Sequence, residues 1–137
     1  MKKIKVIDLF AGPGGLGEGF SEFKKNKSNF FDVKLSIEKD PVACKTLLTR
    51  KFYRKIQNKN SKNNYNKYIN GEINNYNLFQ LNQSEFKEAK KEVLELDICK
   101  KNRKELDTKI QSVLNGDKKW VLIGGPPCQA YSLAGRT

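Results

Sequence analysis

The sequence predicts an α/β protein built on a parallel sheet, because short apolar segments alternate with segments of helical periodicity. The strand candidates are residues 4–10, 33–37, 93–96 and 120–123. Strands that alternate with helices are typical of βαβ units, in which neighbouring strands run in parallel. The chain has 137 residues and a mass of 15.7 kDa, which corresponds to about one domain.

The first strand candidate, IKVIDLF, is almost continuously apolar, as expected of a strand that is covered on both faces. It runs into the glycine-rich segment AGPGGLGEGF at residues 11–20. Leu16, Phe20 and Phe23 then follow at helical spacing, which predicts a helix with one apolar face.

The second unit contains the strand candidate VKLSI and a helix that begins at Asp40 and Pro41. An aspartate caps free backbone N–H groups, and proline is favourable in the first helical turn. Cys44 lies on the apolar stripe of this helix with Leu47 and Leu48, so we interpret Cys44 as a buried filler.

From about residue 54 to residue 83 the sequence has no hydrophobic period, few aliphatic residues and many asparagines. We predict a long surface insertion there that is partly disordered. Its tyrosines stand among lysines and could stack on bases. A solvated low-complexity loop accounts for the same composition.

The third and fourth units restore the α/β pattern. The strand candidate VLEL precedes a helix in which Asn102 and Glu105 resemble a capping box and Gly116 is a plausible stop. The fourth strand candidate, WVLI, runs into GGPPCQAYSLAGRT. The apolar stripe of the helix between them contains Leu106, Ile110, Val113 and Leu114.

Composition excludes several kinds of site. The chain has no histidine, which removes Ser-His-Asp and Cys-His catalysis and every histidine-containing zinc site. Its three cysteines form no CxxC pair, so we expect neither a disulfide framework nor a metal site. No apolar run is long enough for a membrane span and no signal peptide is evident, so we expect an intracellular protein without a membrane partner.

The net charge of +12 suits a polyanionic partner such as nucleic acid. Lysine and asparagine are both abundant, however, and genome composition explains that joint bias equally well. Charge alone therefore leaves nucleic-acid binding open.

Residues of unusual type lie at the carboxyl end of every strand candidate, where ligands bind in open α/β sheets. The glycine-rich turn fits G-x-G-x-x-G, and Glu38 can accept hydrogen bonds from both hydroxyls of a ribose. These features are shared by proteins that bind NAD and proteins that bind S-adenosylmethionine. Asp97 can accept from an adenine amino group or cap the next helix, and both interpretations remain open. The glycines concerned are Gly12, Gly14, Gly15 and Gly17.

Cys128 differs from Cys44 and Cys99 because two glycines and two prolines frame it at a strand end. Such framing fixes the direction of the thiol, which favours a nucleophile over a structural cysteine. A nearby cation would raise the thiolate fraction, and Arg136 is close in sequence.

Four segments of the chain together resemble the first four motifs of DNA cytosine-5 methyltransferases, in the same order. They are DLFAGPGGLGEGF (8–20), IEKDPVAC (37–44), LELDIC (94–99) and GGPPCQAYSLAGR (124–136). The resemblance covers residues 4–53 and about 93–137. It implies a Rossmann-like S-adenosylmethionine-dependent methyltransferase fold with an incomplete parallel sheet of about four strands.

The resemblance also assigns roles to residues. Glu38 would bind the ribose of S-adenosylmethionine, while Asp97 and Ile98 would hold its adenine and Gly125 and Pro127 would border the cleft. Lys39 stands where many family members place a large hydrophobic residue, so its aliphatic stem would cover the adenine only in part. The residues expected along the cofactor in the glycine-rich turn are Phe10, Ala11, Gly12, Pro13 and Gly15.

By the same resemblance, Cys128 would be the catalytic nucleophile. Its thiolate would add to carbon 6 of a cytosine flipped out of double-stranded DNA, and carbon 5 would then accept the methyl group. Loss of the carbon 5 proton and elimination of the thiolate would release the product.

The later motifs of the family, including a Glu-Asn-Val segment and a target-recognition domain, are absent from residues 1–137. We therefore expect the N-terminal part of a catalytic domain, inactive without the remainder of the methyltransferase chain or a complementing half. We further expect a bacterial restriction-modification enzyme, cytoplasmic and nucleoid-associated, with a cognate restriction endonuclease as a possible partner. The alternatives are a dinucleotide-binding Rossmann domain and a non-catalytic nucleic-acid-binding fragment.

Overall fold

The computed structural model describes residues 2–127, which form a four-stranded parallel sheet with helices on both faces. The predicted α/β class and all four predicted strands are confirmed, and the strand order is β5-β4-β1-β6. Along the chain the elements are β1 (Ile4–Leu9), α1 (Gly15–Glu22), β2 (Lys24–Lys25), β3 (Ser28–Asn29), β4 (Phe31–Glu38), α2 (Pro41–Lys55), α3 (Lys59–Ile69), α4 (Asn75–Leu81), α5 (Gln83–Lys90), β5 (Val93–Glu95), a 3-10 turn (Lys100–Asn102), α6 (Arg103–Leu114) and β6 (Trp120–Gly124).

Strand β1 is central, pairing with β4 on one side and β6 on the other. At its end Leu9 lies opposite Gly124, and a Cβ added to Gly124 would stand 2.5 Å from the Leu9 carbonyl oxygen. Only glycine therefore fits at this position while the ends of the two strands remain paired.

The sheet buries a different set of side chains on each face. Ile7, Leu35 and Ile37 are fully buried on the face that α6 covers, where the predicted stripe of that helix packs against them. The neighbouring residues Val6 and Asp8 point to the opposite face because side chains alternate along a strand. That face lies beneath α1 and α2.

Strand β6 stands at one edge of the sheet. Trp120 is 37% exposed and Leu122 is 54% exposed, so part of this strand lies open to solvent. Trp120 lies opposite Lys5, near the beginning of β1. The exposed tryptophan is therefore at the end of the strand far from the predicted site.

The predicted start of α2 is confirmed. The Asp40 carboxylate accepts from the backbone N–H groups of Val42 (2.7 Å) and Ala43 (3.4 Å), and Pro41 occupies the first helical position. The capping box predicted for α6 is wrong. Asn102 precedes this helix without capping it, because its side-chain amide donates to the Asp97 carbonyl instead (2.9 Å).

The apolar face predicted for α1 is only partly correct. Leu16 and Phe23 are about half exposed, whereas Gly17 is buried. The helix approaches the sheet at Gly17, where an added Cβ would lie 3.0 Å from an Asp8 oxygen. Phe20 instead packs edge-on against Phe31, with 5.0 Å between ring centroids. Beside them lies the short β2–β3 hairpin, which the sequence did not predict.

The prediction of an irregular loop over residues 54–83 is wrong, because the segment folds into α3 and α4 and the beginning of α5. Asn58 and Asn74 cap two of these helices, accepting from the N–H groups of Ser61 and Asn77 at 2.8 Å. Their apolar residues join a second buried cluster, which contains Phe52, Leu78, Phe79 and Ala89. That the segment is an insertion stays a prediction.

No helix between residues 2 and 127 is long and apolar enough to cross a membrane.

Candidate functional site

A cavity of about 260 Å³ opens at the carboxyl edge of the sheet. Residues that end or follow each of the four strands contribute to it, as the switch-point rule for open α/β sheets predicts. It is lined by Phe10, Gly12, Ile37, Glu38, Lys39, Leu96, Asp97, Ile98, Gly125 and Pro127.

The glycine-rich turn between β1 and α1 is sharply bent. Phe10, Gly12 and Gly14 all have φ in the left-handed region, at 54°, 55° and 97°. Phenylalanine rarely adopts this conformation, which marks Phe10 as a strained residue beside the cavity. At Gly14 an added Cβ would also lie 2.8 Å from Cδ2 of Leu47, so the turn packs directly on α2.

Glu38 holds the turn and the end of β4 together. Its Oε2 accepts from the Gly12 N–H (2.8 Å), and its Oε1 accepts from the N–H groups of Lys39 (2.8 Å) and Asp40 (2.9 Å). A carboxylate offers roughly four acceptor positions, so about one remains for a ligand. Glu38 is thus fixed in orientation at the cavity wall.

Cys44 of α2 lies next to the backbone of Glu38. Its thiol donates to the Glu38 carbonyl oxygen at 3.3 Å, and the residue is buried. Burial raises the pKa of the Cys44 thiol to about 11, with the nearby carboxylates acting in the same direction. The prediction that Cys44 is a filler is therefore confirmed, and the thiol is a poor nucleophile.

Asp97 lies where β5 gives way to the next turn. Leu96 reaches across to β4, where its N–H donates to the Glu38 carbonyl (2.9 Å). Asp97 itself is exposed, and neither of the two helical segments that follow has a side-chain cap within the described part of the chain. This arrangement does not support the capping role and leaves the carboxylate beside the cavity.

Asp8 is a buried carboxyl group that the sequence analysis did not single out. It is 1% exposed, and neither of its oxygens has a hydrogen-bond partner within residues 2–127. Burial raises the pKa of Asp8 to about 6, while the charge of Lys51 opposes that shift. The signal was present in the sequence, because Asp8 interrupts an otherwise apolar strand.

The structure brings most of the predicted cofactor residues together at the cavity. Three predicted residues of the glycine-rich turn do not line it, since Ala11 is buried and Pro13 and Gly15 are exposed elsewhere on the turn. Ile37 and Leu96 line it without having been predicted. Each directly precedes a predicted cavity residue, Glu38 or Asp97, and that position was the signal available in the sequence.

The predicted nucleophile Cys128 and the neighbouring Arg136 lie outside the described residues. Between residues 2 and 127 no group of three or more histidine, cysteine or carboxylate side chains could hold a metal ion.

Comparison with known proteins identifies relatives. Residues 4–79 match the family model described as C-5 cytosine-specific DNA methylase, a match that includes most of the helical segment following α2. The chain is 34% identical to Type II methyltransferase M.Bpa9945I of Bacillus paralicheniformis, over 96% of this chain and 32% of the relative. This chain thus spans about a third of the relative's length. No solved structure gave a significant match.

Proposed function

The chain belongs to the C-5 cytosine-specific DNA methylase family, and from this premise we propose that its cavity binds S-adenosylmethionine. The methyl group would go to carbon 5 of cytosine in double-stranded DNA. The observation that carries the proposal is the fixed Glu38 carboxylate in a cavity to which all four strands contribute.

The residues of the cavity fit this cofactor chemically. Phe10, Leu96 and Ile98 provide apolar surface for a flat ring, and Glu38 has an acceptor position open to a ribose hydroxyl. A second hydroxyl would bind Glu38 only if one of the three backbone N–H donors yields its place. The uncapped N-terminus of α1 suits the cofactor's carboxylate.

Each part of the chain then has a distinct task. Glu38 orients the ribose, Asp97 and Ile98 hold the adenine, and the stem of Lys39 covers part of the ring. Gly125 and Pro127 border the cleft, and the glycine-rich turn, including Ala11, Pro13 and Gly15, follows the amino-acid end of the cofactor. When bound, S-adenosylmethionine supplies a methyl group activated on a sulfonium.

Cys128 would act on the base rather than on the cofactor. Its thiolate adds to carbon 6 of the flipped cytosine, which makes carbon 5 nucleophilic. After methylation the carbon 5 proton leaves and the thiolate is eliminated, so the enzyme is regenerated. These reaction steps need neither a histidine nor a metal ion.

Calorimetric titration with S-adenosylmethionine tests the cofactor assignment. We expect Glu38→Gln to weaken binding about tenfold or more, because a hydrogen bond to a charged group contributes roughly 1.5–3 kcal/mol. Glu95→Gln, which removes an exposed carboxylate of β5 that does not line the cavity, is the matched control. Equal loss of affinity in both variants would contradict the role assigned to Glu38. Tighter binding of NADH than of S-adenosylmethionine would contradict the cofactor assignment and favour a dinucleotide-binding domain.

The nucleophile is tested by trapping with duplex DNA that contains 5-fluorocytosine. Our proposal includes the remainder of the methyltransferase, or a complementing half, as a partner, so the reaction contains that half. We expect a covalent adduct that Cys128→Ser abolishes and Cys99→Ser retains. Absence of any adduct would favour a non-catalytic nucleic-acid-binding role. A cognate restriction endonuclease would be sought separately, by testing whether methylation protects DNA from cleavage.

A further inference from the structure

The outer surface of α2 and α3 is basic over a long stretch of chain. Residues 41–71 contain no aspartate or glutamate, and the flanking carboxylates in sequence are Asp40 and Glu72. A segment of this length without a single acidic residue has no internal partner for its lysines and arginines.

The cations of this segment fall into two groups. Lys51, Arg54 and Lys55 face the body of the domain, where they form ion pairs with Glu92 and Glu18 at 2.5–3.5 Å. The second group is exposed to solvent, and no member of it forms an ion pair within residues 2–127; it consists of Lys45, Arg50, Lys59, Lys62 and Lys67.

Within residues 2–127, hydrogen bonds to carboxylates of neighbouring elements meet α3 near its ends. Glu85 of α5 accepts from Asn58 (3.1 Å) and Ser61 (2.6 Å) at the beginning of the helix. Glu72 accepts from Asn70, just past the end of the helix, at 3.4 Å. The middle of the surface therefore stays positive.

Three tyrosines, which we call the tyrosine ridge, run across this basic surface. Tyr53 of α2 packs against Tyr65 of α3 with 4.9 Å between ring centroids, and Tyr65 packs against Tyr68 at 6.0 Å. Tyr53 is 58% exposed, whereas Tyr65 and Tyr68 are half-buried against the second buried cluster. The tyrosine ridge is thus held in place by the second buried cluster and remains accessible from solvent.

Two open cavities, of about 370 and 300 Å³, both have Tyr65 in their linings. Lys62 lines the first of them, and Arg50 and Lys45 line the second. No carboxylate is among the described residues that line either one.

Packing explains why the rings lie where they do, but it does not explain the charges around them. Unpaired like charges repel one another, and a folded surface normally intersperses both signs. A surface that concentrates cations and phenolic hydroxyls matches the donors that contact phosphate oxygens of DNA.

We propose that the surface formed by α2 and α3 binds the phosphate backbone of double-stranded DNA, outside the cavity. The inference rests on the proposed function for its choice of DNA, and it adds a second contact region to that site. Helix α2 begins two residues after Lys39 of the cavity wall, so one duplex could extend from the cavity rim over this surface.

The test measures fluorescence anisotropy of the 137-residue chain with a labelled dA·dT duplex. Such DNA contains no cytosine, so the result is independent of methyl transfer and of S-adenosylmethionine binding. We compare Arg50→Gln/Lys62→Gln with Lys104→Gln/Lys109→Gln, which removes the same charge from α6 on the opposite face of the sheet. Circular dichroism melting confirms that both variants are folded.

We expect the Arg50→Gln/Lys62→Gln variant to bind several-fold more weakly at 50 mM salt. It should also lower the slope of log affinity against log salt concentration by about two, because each phosphate contact contributes roughly 0.9. The control should keep the original slope within about half a unit. An unchanged slope in the first variant, equal losses in both, or binding to phosphatidylserine vesicles but not to the duplex would overturn the proposal.

Discussion

Replacing Asp8 by asparagine should remove most of the pH dependence of stability between pH 5 and pH 7.5. Asp8 is 1% exposed, neither oxygen has a partner within residues 2–127, and its pKa is about 6 against an ordinary value of 3.8. The native state therefore holds the proton more tightly than the unfolded chain does. Stability from this group is fully present below the unfolded pKa and is lost as pH rises through about 6.

The size of the effect follows from the difference in pKa. One pKa unit corresponds to about 1.4 kcal/mol, so complete protonation of Asp8 contributes roughly 3 kcal/mol. Lowering the pH from 7.5 to 5 recovers about 1.4 kcal/mol of this in the free energy of unfolding. For a chain of this size that corresponds to a rise in Tm of roughly 5 °C.

The assay is thermal denaturation followed by circular dichroism at a series of pH values. The chain contains no histidine, which leaves this pH range unusually free of other titrating side chains. Asp107→Asn, which removes an exposed carboxylate from α6, controls for the change in net charge. If Asp8→Asn and the unsubstituted chain show the same slope of Tm with pH, the reasoning about Asp8 is refuted.

Two further predictions concern packing. Gly124→Ala should lower the free energy of unfolding by about 1–3 kcal/mol, because the new Cβ meets the Leu9 carbonyl. Urea denaturation measures this change. The control is Gly125→Ala, where an added Cβ meets nothing, and it should leave the free energy of unfolding almost unchanged. Leu78→Ala should lower the free energy of unfolding by about 2–5 kcal/mol, because this α4 side chain is fully buried in the second buried cluster. Leu81 is exposed on the same helix, so Leu81→Ala should cost less than about 1 kcal/mol. Similar losses in Leu78→Ala and Leu81→Ala would mean that the second buried cluster does not hold these helices.

The sheet was predictable because its strands carry their own signal. An almost unbroken apolar run such as residues 4–10 has few stable solutions other than a buried parallel strand. The Asp40–Pro41 helix start is equally local, since the cap is formed within three residues. The cavity then follows from topology, which places Glu38 and Asp97 at the same edge of the sheet.

The helices after α2 could not be predicted from the same rules. Their apolar residues number only a few per helix, and the burial of Leu78 and Phe79 depends on Phe52 of α2, which is distant from both in sequence. Asparagine favours turns and loops as well as helix N-caps, and here Asn58 and Asn74 cap the beginnings of α3 and α4. The hydrogen bond from the Gly12 N–H to Glu38 likewise joins positions that no local pattern connects.

The position of Trp120 gives the chain a built-in optical probe. It is the only tryptophan in the sequence, and it is 37% exposed on edge strand β6, at the end opposite the cavity. Any surface that packs against this strand would exclude water from the indole and shift its emission to shorter wavelength. A ligand that enters the cavity would leave the emission wavelength unchanged, so one unlabelled spectrum can distinguish association through the sheet edge from occupancy of the cavity.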